Sequence, residues 1–126
     1  MREEIKNLWE QTKKDFEVAE KNFKIKEYYV SAFFCQQSVE KTLKAFFMIK
    51  KGKSAGPTHS LIYLAKETKI PSGFFGIFQD LSPEFVTTRY PDVAGDAPYK
   101  LYSKGKAQDY LIKSGRLIKW IKQQIK

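Results

Sequence analysis

The chain has 126 residues, 42% of them hydrophobic and 15% aromatic, with a formal net charge of +9. That length holds one domain, spanning residues 1–126, and excludes two, while the composition excludes a disordered tail. A single cysteine, Cys35, excludes an internal disulfide, and a single histidine, His59, excludes a conventional His-based zinc site.

No apolar run approaches the ~20 residues that span a membrane. The opening stretch MREEIKNLWEQ lacks the apolar core of a signal peptide. We therefore expect a cytoplasmic protein with no membrane association, no metal and no cofactor. The positive charge predicts an anionic partner such as a nucleotide, a nucleic acid or an acidic protein. A solvated Lys-rich surface explains the same charge, and nearly all of the 23 basic residues are Lys.

Hydrophobic periodicity predicts a first helix over Glu3 to Phe23, with Ile5, Leu8, Trp9, Thr12, Phe16, Ala19 and Phe23 on one face. A short connection leads to a second helix from about Glu27 to Lys50. It ends where Gly52, Ser54, Gly56 and Pro57 cluster. Two long amphipathic helices joined so closely make an antiparallel hairpin. Thr58 is the expected cap of a third helix, with His59 in its first turn and Leu61, Ile62, Leu64 and Ala65 behind it. Pro71 ends that segment. Ser72 to Leu81 reads as a shorter helix weakened by Gly73 and Gly76. Residues 93–103 read as a loop. The last helix begins near Lys104 or Lys106 and buries Ala107, Tyr110, Leu111, Ser114, Leu117, Ile118, Ile121 and Ile125. No stretch alternates with period two, so no strand is expected. The predicted fold is all-α, an up-and-down four-helix bundle with a short additional helix.

The second helix carries the most informative anomaly. Tyr29, Ala32, Phe33, Val39, Leu43, Phe46 and Phe47 form its apolar stripe. Gln36 and Glu40 fall inside that stripe, and Lys44 lies at its edge. An unpaired carboxylate costs several kcal/mol to bury. Glu40 therefore requires a cation, with Arg89 or Lys44 as the candidates. Gln36, Glu40, Arg89 and Asp92 are the expected buried polar network. Arg89, His59 and Lys44 are expected to line one groove that takes a nucleotide or RNA phosphate, with Tyr90 beside it to stack on a base. Tyr99 and Tyr102 can serve the same way. The plainer roles are packing for the tyrosines, a turn cap for Asp92, and a helix-start residue bonded to backbone or a carboxylate for His59. With 10 Phe, 7 Tyr and 2 Trp, the chain has more large apolar groups than a small core readily hides. Phe74, Phe75 and Phe78 need cover, so a homodimer is expected.

Three motifs together resemble the short prokaryotic form of the HEPN family. They are Phe33, Gln36, Gln37, Glu40, Lys41, Leu43, Lys44 and Ala45 in the second helix; Thr58, His59, Leu61 and Leu64 after its loop; and Arg89, Tyr90, Pro91 and Asp92 before the last helix. Trp9, Asp15 and Trp120 also sit where the resemblance expects them. The resemblance implies a dimerising helical bundle paired with a small nucleotidyltransferase, commonly as a toxin–antitoxin system, and an association with nucleotides or RNA. Many HEPN proteins are metal-independent ribonucleases built on an Arg followed by a His four to six residues later. Here the residues at that distance before His59 are Lys53, Ser54 and Ala55, and no His lies at that distance after Arg2, Arg89 or Arg116. The enzyme reading loses its main support, and His59 is the one weak catalytic candidate, as a base near neutral pH. Two alternatives to the interaction subunit stay open: a ribonuclease toxin with a degenerate Arg/His site, and a standalone dimeric nucleotide-binding module.

Overall fold

The computed structural model describes residues 2–82 and 97–125. The described residues contain five α-helices and no strand. They are α1 (Arg2–Lys24), α2 (Tyr28–Lys51), α3 (Leu61–Glu67), α4 (Phe75–Leu81) and α5 (Lys104–Gln124). Short 3-10 turns cover Ser72–Phe74 and Pro98–Leu101. The architecture is the all-α bundle that the periodicity predicts.

The hairpin of α1 and α2 turns at Ile25–Glu27, where Lys26 takes the left-handed conformation at φ 65° and Glu27 N donates to Asn22 O at 2.8 Å. Gly52 ends α2 at φ 70°, its N–H bonded to Met48 O. That is the usual glycine solution, because a Cβ there is strained. The α2 stripe forms the spine of the core: Ala32, Cys35, Val39, Leu43, Phe46 and Phe47 are all buried. Tyr29 and Phe33, expected in the same stripe, are half-buried. Against this spine pack Ala19 of α1, Leu61 and Leu64 of α3, Phe78 and Leu81 of α4, and Leu117 and Ile121 of α5.

Three expectations about local structure change. The N-cap of α3 is Ser60, whose hydroxyl accepts from Tyr63 N at 3.2 Å; Thr58 instead accepts from Ser60 N, so His59 precedes the helix. Helix α3 ends before Pro71, through Lys69 at φ 58° and an Ile70 N to Ala65 O bond of 3.0 Å. The aromatics of the fourth segment are also better covered than expected. Phe78 is fully buried, Phe75 sets its ring edge-on to Phe78 at 5.4 Å, and Phe74 packs on Trp120 at 5.7 Å. Trp120 of α5 covers Phe74, while Phe74 and Phe75 both stay half-buried.

The path of α3 matters for the site. Glu40 meets His59, Phe47 meets Tyr63, and Lys51 meets Glu67. These pairs rise together in sequence, so the connection after α2 runs back along the bundle and α3 then follows α2 in the same direction.

Candidate anion-binding site on helix α2

Residues four apart on a helix are neighbours on its surface. Gln36, Glu40 and Lys44 therefore form a line along α2, and the structure connects them. Gln36 Nε2 donates to Glu40 Oε1 at 3.1 Å, and Gln37 Nε2 donates to Gln36 Oε1 at 2.6 Å. Lys44 Nζ lies 3.2 Å from Glu40 Oε2. His59 Nδ1 completes the set, 3.0 Å from Glu40 Oε1. The Glu40 side chain is 6% exposed, that of Lys44 18% and that of His59 51%. A buried carboxylate thus holds one imidazole that reaches the surface and one ammonium at its margin.

The chemistry follows from that gradient. Glu40 is satisfied by three groups, which removes the cost of burying its charge. Its hydrogen bond fixes the plane of the His59 ring. Lys44 and His59 together present donors to a phosphate or carboxylate arriving from solvent.

Of the predicted site residues, Gln36, Glu40, Lys44 and His59 come together. Arg89, Tyr90 and Asp92 lie outside the described residues, so the predicted Arg89–Glu40 pair lies there too; Lys44, the other cation proposed for Glu40, is in place. Tyr102 is buried under Lys106, whose Nζ lies 4.6 Å from the ring centroid, so it offers no stacking face; Tyr99 is exposed. Cys35 is core. No group of three or more His, Cys, Asp and Glu among the described residues could hold a metal ion.

One polar cluster escapes the sequence reading. Asp15 is buried on α1, takes a hydrogen bond from Gln11 Nε2 at 2.9 Å, and pairs with Lys41 of α2. Thr12 and Thr42 meet beside it at 3.3 Å. The available signal is the position of Asp15 one turn after Thr12, on the edge of the apolar face of α1.

On α5, Lys113 donates a hydrogen bond to Asp109, which holds the Lys113 ammonium above the usual lysine range, with Asp80 adding to the effect. Glu17 on α1 is held below the usual carboxylate range by its hydrogen bond to Lys21 and by the charge of Lys14. Both groups are exposed.

Known proteins share this arrangement of helices. The crystal structure of TT1696 from Thermus thermophilus aligns with a TM-score of 0.84 at 22% identity, over 94% of this chain and 96% of that one; at this identity the likeness is one of fold. The crystal structure of ST0689, an archaeal HEPN homologue, aligns with a TM-score of 0.82 at 28% identity, over 97% of this chain and 98% of that one. No curated protein sequence matches. The sequence profile of the HEPN domain matches residues 5–124, which runs from α1 through the Glu40 cluster to α5, and the chain belongs to the HEPN domain family.

Proposed function

We propose that this HEPN-domain protein is the partner subunit of a small nucleotidyltransferase in a toxin–antitoxin-type pair, and that it binds a nucleotide or RNA phosphate at the Glu40 cluster. The observation that carries the binding reading is the surface-reaching His59 and the marginal Lys44, both fixed on one buried carboxylate. The pairing reading rests on family membership and on the net charge of +9, which favours an anionic partner.

The test is direct. The neighbouring reading frames are searched for a small nucleotidyltransferase, which is co-expressed with this protein, and the pair is purified through a tag on one subunit. Stoichiometric co-purification is expected. Titration of the purified protein with ATP and with a short single-stranded RNA should show saturable binding that weakens in Lys44→Ala and His59→Ala. Failure of both experiments overturns the reading.

A homodimer belongs to the same proposal. Its support is the row of half-buried rings Tyr29, Phe33 and Phe34 along the first half of α2. Light scattering at tens of micromolar should give twice the chain mass; a monomer mass removes this part of the proposal.

One observation favours the ribonuclease alternative: a carboxylate orients the imidazole of His59, as it would orient a general base. With no Arg four to six residues before His59, we expect no robust cleavage of generic RNA by the purified protein. Metal-independent cleavage abolished by His59→Ala would put the enzyme reading first.

A further inference from the structure

A cleft of about 310 Å³ lies between α5 and the segment formed by the Ser72–Phe74 turn and α4, lined by Gly73, Phe74, Gly76, Ile77, Lys113 and Arg116. Its two glycines are unexplained by the fold. Neither has a positive φ, and a Cβ built on either would meet nothing within 4 Å. Gly76 lies inside α4, where glycine weakens a helix. Neither backbone conformation nor packing requires glycine at these positions. What the missing side chains do is leave the backbone of the Ser72–Phe74 turn and of the first turn of α4 bare along one wall of the cleft, the arrangement that lets a ligand approach closely.

The other walls define the ligand. Ile77 is buried at the base, and the ring of Phe74 is held in place by Trp120. These surfaces suit a flat apolar body. The cations on α5 are not equivalent. Lys113 is balanced by Asp109 at 3.1 Å and Asp80 at 3.6 Å. Arg116, one turn along the cleft, has no carboxylate partner among the described residues. A guanidinium binds a carboxylate through two parallel hydrogen bonds. One cation without a carboxylate partner among the described residues suits one negative charge, and the two aspartates beside Lys113 oppose a dianion. The volume is near the lower bound of small-molecule sites, about 300 Å³.

We propose that the cleft between α4 and α5 binds a small aromatic carboxylate, its ring against Phe74, Ile77 and the bare backbone of Gly73 and Gly76, and its carboxylate on Arg116. The site is separate from the Glu40 cluster and does not depend on its function.

The probe is naphthoate, with the uncharged naphthamide as its comparison, in an amide-resolved NMR titration of the full chain. Saturable shifts are expected at Gly73, Gly76 and Arg116, with none at Glu40 or His59. Arg116→Gln should weaken binding by about tenfold or more. Gly76→Leu should fill the cleft and abolish binding while the protein keeps its thermal transition, since a helix-favouring side chain there projects into open space. Absence of shifts at these amides up to the solubility of naphthoate overturns the proposal. So does equal binding of naphthamide, or unchanged binding by Gly76→Leu.

Discussion

His59 Nδ1 lies 3.0 Å from Glu40 Oε1, although His59 precedes α3 and Glu40 sits in the middle of α2. The contact exists because α3 follows α2 in the same direction, which brings the chain back beside Glu40 before the helix starts. The third helix is therefore anchored to the second by a half-buried polar contact just before its start and by the Lys51–Glu67 pair, 3.5 Å apart, at its end.

Glu40→Ala should destabilise the protein by about 3 kcal/mol, because it leaves Lys44 and Gln36 buried or half-buried without their acceptor. Lys44→Ala should cost about 1 kcal/mol, since Gln36 and His59 still satisfy Glu40. Urea unfolding of both variants measures the difference. A fully stable Glu40→Ala variant would show that the cluster holds nothing together.

The cap of α3 offers a sharper contrast. Ser60→Ala removes the acceptor for Tyr63 N and should cost about 1 kcal/mol. Thr58→Ala removes a bond within the connection only and should cost a few tenths of that, about 0.3 kcal/mol. Thermal melts of the two variants decide which residue caps the helix.

Glycine replacements should separate by position. Gly76→Ala meets open space and should stabilise the protein by up to about 1 kcal/mol. At Gly115 a Cβ would lie 3.3 Å from Phe16 Cζ, so Gly115→Ala should gain less or lose stability as the ring shifts. Denaturation midpoints compared side by side check the ordering.

The left-handed positions predict opposite signs. Gly52→Ala should cost about 1 kcal/mol, because alanine is strained at φ 70°. Lys69→Gly should gain about 0.5 kcal/mol by relieving the same strain at φ 58°, less the extra chain entropy of glycine. Calorimetry on both variants tests the pair of signs.

Much of the molecule is legible in the chain. The spacing of Ala32, Val39, Leu43, Phe46 and Phe47 determines the buried face of α2, since a helix places residues three and four apart on one side. The same spacing makes Glu40 a buried carboxylate that requires a cation, and Lys44, one turn away, satisfies it through local geometry. Gly52 fixes the end of α2 because its conformation suits no other residue so well.

Tertiary structure alone decided what came from far along the chain. That His59 meets Glu40 depends on the return path of the connection and the direction of α3, and neither follows from hydrophobic period. The pairing of Asp15 with Lys41 depends on the register of two helices that both look amphipathic under any small slide. Phe78 is buried because α4 packs against α2, α3 and α5 together, contacts between segments whose separate patterns specify an apolar face but not what covers it. Periodicity is a property of one helix, whereas burial and charge pairing are properties of two.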